Sequence, residues 1–269
     1  MKQIVQSIVR LIPALALLAV AFPSAQAQEC TKLSATGNSE YPPYLWRSAS
    51  QPDDLVGAID LVIAEIGYRL DLDIELKHVG SWSRAQAEVK AGRVDMIAGA
   101  FYTVPRNQWM DYVYPAFMQT NSVVWKQAGN TEYQGKHDLI GKLGVTVINN
   151  SFGQEFDEFA KSNLSIESVA SLEQAFKMLA LGRVDYALYE QNPGLAYSAK
   201  LEVAEKIKPL EPPVSSEGLY LTLSHQSKCN TGALRGKLAK VVREMVAEGF
   251  MDTALQKGLD MRAVAATGL

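Results

Sequence analysis

Cysteine is scarce. Two residues in 269 are too few for a zinc ribbon or a disulfide-dense scaffold. Histidine occurs three times, and His78, His137 and His225 lie scattered, without the spacing of a metal site. Each reads as a surface or packing residue. Positive charge is not in excess: the net charge of −3 offers no wide basic field to nucleic acid. The longest apolar run, Ala14 to Phe22, is far too short to span a membrane. Neither HExxH nor GxSxG occurs, and no group is spaced for nucleophilic catalysis. The stretch Gly129…Gly135-Lys136 has one residue too many for a phosphate-binding loop, and His137 stands where Ser or Thr is needed. Trp46, Trp109 and Trp125 read as core or surface aromatics. No metal or cofactor is expected. What is present, 48% hydrophobic and 20% charged residues, is the balance of a globular chain.

Residues 1–27 read as an export signal. Lys2 and Arg10 supply a cationic start, Leu11–Phe22 a mostly apolar centre, and Ala25-Gln26-Ala27 a cleavage site. An uncleaved anchor is the alternative, and the small-residue exit favours cleavage. Glu29 before Cys30 is neither small nor neutral, which argues against a lipoprotein. The expected mature chain has 242 residues, with 24 basic against 29 acidic, a net charge of −5. It can bury one large core or two modest ones. Export into an oxidising compartment makes Cys30 and Cys229 a candidate disulfide; two buried thiols are the alternative. A bond would place both ends of the chain in one structural unit.

Short apolar runs alternate with helical patterns, which predicts an α/β fold with mostly parallel sheets. Strands are expected at Lys32–Ala35, Asp73–His78, Asp95–Ala98, Val123–Lys126, Leu143–Val147, Ile166–Val169, Asp185–Leu188 and Leu219–Leu223. The stripe Leu55, Ile59, Val62, Ile63, Ile66, Leu70 predicts a helix over Leu55–Leu70. Further helices are expected at Ser83–Ala91, Gln154–Lys161, Leu172–Leu181 and Thr231–Glu248.

Gly92-Arg93-Val94-Asp95 recurs as Gly182-Arg183-Val184-Asp185, each copy joining a helix to a strand. Glycine supplies the left-handed residue that stops the helix. The shared context predicts two similar α/β units. With the chain ends tied together, the second must be inserted in the first. Lobe one is then expected at 28–124 plus 219–269 and lobe two at 127–216, with Val123–Lys126 and Leu219–Leu223 as two hinge crossings. A cleft between such lobes is a favoured ligand site, and a hinge lets it close.

These residues resemble the periplasmic solute-binding proteins of amino-acid ABC transporters, the type 3 extracellular solute-binding family. The resemblance rests on Tyr41-Pro42-Pro43-Tyr44, the Gly57–Leu70 helix start and Gly92–Gly99 with Thr103 and Arg106. Asp138–Lys142 and Gly182–Glu190 complete it. It implies the two-lobed periplasmic-binding-protein fold and a site for an α-amino acid, whose carboxylate and ammonium must both be paired if buried. Arg106, seven residues after Gly99, would fork onto the carboxylate. Thr103 would assist it. Glu190 stands where an aspartate usually pairs the ammonium. Tyr41 and Trp82 would clamp the ligand. Asn149, Asn150 and Ser151 lie where the second lobe offers backbone N–H groups at a helix start. Each residue also has a plain reading: a surface ion pair for Arg106, a solvated carboxylate for Glu190, core aromatics, structural Thr103, helix capping at Ser151.

Three departures bear on the ligand. Phe101 replaces a small hydroxyl and would narrow the pocket. Asn38 replaces the aspartate of members that bind basic side chains. Asn149-Asn150-Ser151 replaces a Gly-Thr-Thr-like stretch. The expected protein is a non-enzymatic periplasmic monomer that captures a small polar solute, an amino acid, for an ABC-type membrane partner. The alternative is an enzyme on the same scaffold, like cyclohexadienyl dehydratase, with Glu190 as general acid.

Overall fold

The computed structural model describes residues 30–267, so the expected leader lies outside the described residues. Its first unit runs β1 (Lys32–Thr36), α1 (Ala58–Leu70), β5 (Asp73–Leu76), α2 (Trp82–Lys90) and β6 (Met96–Ala100). Its second repeats that order as β8 (Leu143–Val147), α4 (Gln154–Asn163), β9 (Ser165–Val169), α5 (Leu172–Ala180) and β10 (Tyr186–Glu190). In each unit the first strand sits centrally and pairs in parallel with the other two. The echo carries this symmetry. Gly92 and Gly182 both stop their helices at positive φ, 71° and 66°. Asp95 then accepts from the Ser34 backbone N–H in β1, and Asp185 from the Leu143 N–H in β8.

Two strands join the units: β7 (Met110–Gln127) and β11 (Ile207–Ser224), each 18 residues long. The order across the sheet is β5-β1-β6-β11-β7-β10-β8-β9. The two central strands run antiparallel to each other and to their outer neighbours, so the sheet is mixed, with four of its seven pairings parallel and three antiparallel. They are also far longer than the short crossings the apolar runs suggest. Val123–Trp125 already pair with β10, and Leu221–Leu223 with β6. Between those attachments, residues 119–121 pair with 216–218 in a two-stranded neck.

Other differences are local. The helix expected from Leu55 starts at Ala58, because Gly57 at φ 130° interrupts it. Leu55–Val56 instead form β4 of a small sheet with β2 (Glu40–Tyr41) and β3 (Leu45–Arg47). The stripe Ile59, Val62, Ile63, Ile66 is buried as its spacing requires. Three helices are additional to the expected set: α3 (Val104–Asn107), α6 (Gln191–Lys200) and α8 (Phe250–Thr267). The expected C-terminal helix is α7 (Gly232–Ala247), and α8 follows it to pack on α1. Trp125 is fully buried and lies directly under Gly194 of α6, where a Cβ would meet its ring at 2.1 Å. No helix among the described residues is long and apolar enough to cross a membrane.

Cys30 and Cys229 form a disulfide with Cα atoms 5.5 Å apart, across 199 residues of sequence. Closing so long a loop removes unfolded-state entropy worth about 5 kcal/mol in the chain-entropy account. Denatured, unreduced protein should therefore show no reactive thiol, and reduction should lower the unfolding free energy by about 3–5 kcal/mol. Two reactive thiols before reduction would contradict the pairing.

Candidate functional site

The site forms where strand ends of the two units face one another. Gly99 near the end of β6, Phe101 after it and Arg106 of α3 come from the first unit, with Asn38, Tyr41 and Trp82 beside them. Glu190 at the end of β10 and Asn150 after β8 come from the second, and Leu219 from β11. Together they border one hollow. It offers about 20 Å³, room for little more than one water. An outer cleft of about 630 Å³ adjoins it, and Arg106 and Asn150 border both spaces.

Arg106 is positioned by a short local device. Thr103 caps α3, its Oγ1 accepting from the Arg106 backbone N–H at 3.3 Å. The guanidinium then turns inward, 7% exposed, with its carbon 5.3 Å from the centre of the Trp82 ring. It donates from Nη1 to the Phe101 carbonyl (3.3 Å) and from Nη2 to the Asn149 carbonyl (3.2 Å). No carboxylate forms an ion pair with it among the described residues. Burial lowers its pKa, opposed by Tyr112, Asp157 and Glu190 nearby.

Glu190 is 2% exposed, and its Oε2 has no hydrogen-bond partner. It stands at the N-cap position of α6 without capping it. Burial pushes its carboxyl up to about 7, against its own backbone N–H, the nearby Asn150 amide and Arg106. That amide lies close to the carboxylate but outside hydrogen-bond geometry, and its Nδ2 is also buried without a partner. Tyr41 OH and Trp82 Nε1 are in the same condition. Buried polar atoms are almost always paired, so four such atoms on residues around one hollow mark a site built for polar ligand atoms.

Hydrogen bonds cross between the units on both sides of the hollow. Asn149, at φ 60°, accepts at its carbonyl from Gln86 Nε2 (3.1 Å) as well as Arg106, and its Nδ2 donates to Ser83 Oγ (2.9 Å). Opposite, Asn38 Nδ2 donates to Tyr189 OH (3.2 Å), and Tyr189 OH donates to the Glu40 carbonyl (3.3 Å). Glu40 Oε2 accepts from the Leu172 N–H at the start of α5. The units are shut against each other in this state.

Of the residues singled out from sequence, Tyr41, Trp82, Gly99, Phe101, Arg106, Asn150 and Glu190 all border the hollow. Thr103 and Ser151 border the outer cleft instead, and their hydroxyls are engaged locally, Thr103 in its cap and Ser151 with Asp157. Asp157 was not apparent. It sits in the first turn of α4, holds Ser151 Oγ and the Phe152 N–H, and so shapes the loop carrying Asn149 and Asn150. An acid in a helix's first turn carries no sequence signal beyond ordinary dipole compensation. Leu219, inside an expected strand, and Tyr189, one residue beyond the expected strand Asp185–Leu188, carry no separate sequence signal either. None of the three histidines borders the hollow, and no group of three His, Cys, Asp or Glu among the described residues could hold a metal.

Solved structures share this architecture. A histidine kinase sensor domain with similarity to periplasmic binding proteins superposes at TM-score 0.71 and 17% identity, covering 86% of this chain and 97% of its own. An ancestral arginine-binding protein bound to arginine gives 0.70 and 21%, covering 84% and 97%. The substrate-binding protein of an amino-acid ABC transporter from Streptococcus pneumoniae, bound to L-arginine, gives 0.70 and 16%, covering 86% and 96%. At these identities the likeness establishes the two-lobed periplasmic-binding-protein fold. A search of curated proteins found no match. The model of bacterial extracellular solute-binding proteins, family 3, matches residues 33–259. Covering both α/β units and the strands that join them, that match makes this chain a member of family 3 of the bacterial extracellular solute-binding proteins.

Proposed function

We propose that the protein captures an amino acid outside the cytoplasm, in the periplasm, and presents it to an ABC-type membrane partner. It acts by binding and closure rather than by turnover. The observation that carries this reading is the pair Arg106 and Glu190: two buried, opposite charges on one hollow, from different units, with no ion pair between them. A zwitterion supplies a counter-charge to each. Its carboxylate takes the N–H groups of Arg106 not engaged by the Phe101 and Asn149 carbonyls. Its ammonium meets Glu190. Trp82 and Tyr41 flank it, and Asn150 donates to it from the second unit.

Lobe one comprises the described chain before and after the neck that pairs residues 119–121 with 216–218, and lobe two the residues between, so that Val123–Trp125, paired with β10, fall in lobe two rather than at the expected boundary of 124. The two-stranded neck at 119–121 and 216–218 provides the bending point. Ligand contacts from both lobes favour the closed form, which is the form a membrane partner recognises. The solved neighbours that hold amino acids support this class of ligand.

A thermal-shift screen of the common amino acids tests the reading: one or more should raise the melting temperature by several degrees. Arg106→Lys keeps the charge but loses the fork, and should weaken that ligand on the order of 100-fold while the unliganded melting temperature moves little. A collapsed fold would make Arg106 structural; undiminished binding would remove its proposed role.

Glu190 adds a pH signature. Its carboxyl stands near 7 in the folded chain against an ordinary value of 4.5. The folded state therefore holds this proton more tightly than the unfolded chain. As pH rises from about 4.5 to about 7, ionising Glu190 costs stability. The melting temperature of the unliganded protein should fall across that window, and less steeply in Glu190→Gln. Affinity for a ligand with a free amine should weaken as pH drops below about 7 in the wild type only. Identical pH profiles for the two proteins would refute the assignment.

A further inference from the structure

We propose that the site admits only amino acids with a short, uncharged side chain, with Phe101 limiting length and the Asn38–Tyr189 pair excluding charge. This rests on the amino-acid reading above.

The length limit comes from the walls. Tyr41, Trp82, Phe101 and Leu219 border the hollow and are 1–6% exposed. With about 20 Å³ between them, they must part for any solute, and they part least for the shortest. Forcing extra methylenes into a packed interior costs roughly 1–3 kcal/mol, a 5- to 150-fold loss of affinity. The outer cleft gives no relief. Arg106 and Asn150 stand between it and the hollow, and Arg106 is tied to carbonyls of both units. A long side chain that passed Arg106 to the cleft would disturb the group that holds the carboxylate.

The charge limit comes from the inventory of counter-ions. Arg106 and Glu190 are the charged residues bordering the hollow, and the ligand's own carboxylate and ammonium use both. Asn38 is neutral, and its amide is already committed: Nδ2 to Tyr189 OH, Oδ1 to the Glu40 N–H. The Tyr189 hydroxyl donates its O–H to the Glu40 carbonyl. This wall carries no formal charge to set against a third ion. A lysine, arginine, aspartate or glutamate side chain would be a buried unpaired charge.

Calorimetry with glycine, alanine, serine, leucine, methionine, glutamate and arginine tests the limit on wild-type protein. The three short ligands should bind tightest, leucine and methionine at least about 10-fold weaker, and the charged ligands on the order of 100-fold weaker. Phe101→Ala keeps the backbone carbonyl that anchors Arg106, and should narrow the gap between leucine and alanine at least about 10-fold. Phe101→Leu, a milder change, should narrow it in the same direction. Wild-type protein that binds leucine or arginine as tightly as alanine overturns the limit while leaving the amino-acid reading intact. Wild-type protein that binds none of the seven overturns both.

Discussion

The structure is organised around the cost of burying two opposite charges without letting them neutralise each other. Arg106 and Glu190 are both nearly inaccessible and border one small hollow, yet no ion pair joins them. Isolated burial of either charge is expensive. The chain meets part of that cost with carbonyls for the guanidinium and with a carboxyl pKa raised to about 7, which makes Glu190 easier to protonate. Both measures are incomplete. Spare N–H groups remain on one side and a bare Oε2 on the other. An interior so arranged favours a molecule carrying both charges on one carbon.

The fold supplies the separation. Two α/β units of the same strand order face each other, and a duplicated Gly-Arg-Val-Asp joint fixes each one's third strand against its first. The loop after one third strand delivers Arg106; the end of the other delivers Glu190. The long central strands hold the units in one sheet, with a neck only two strands wide. Arg106 also donates to the Asn149 carbonyl of the opposite unit. The residue proposed to grip the ligand therefore takes part in closing the cleft, which couples occupancy to shape.

Much of this was legible in the sequence, and the reasons are local. The apolar stripe of α1 and the Gly92 and Gly182 helix stops follow from short-range chemistry, and the cysteine pair from there being only two cysteines. The roles of Arg106 and Glu190 came from the resemblance to the solute-binding family, which marks the positions seven residues after Gly99 and five after Asp185. What escaped notice lacks such signals. The neck of β7 and β11 carries polar residues such as Gln119, Asn121, Ser216 and Glu217, so no apolar run announces a strand there. Helix α6 contains Pro193 and Gly194, residues that weaken a helical pattern, although Gly194 is what lets the helix approach Trp125. Thr103 and Ser151 carry hydroxyls suited to a ligand, and local geometry gives each a second task, Thr103 accepting in a helix cap and Ser151 donating to Asp157. Composition cannot tell a capping hydroxyl from a binding one until the backbone is placed.

The most direct test is a crystal structure of the protein grown with alanine. The account predicts a closed cleft in which the ligand's carboxylate receives N–H groups from Arg106 and its ammonium lies within hydrogen-bond distance of Glu190. An ordered ligand elsewhere, or one in the hollow touching neither side chain, would contradict it.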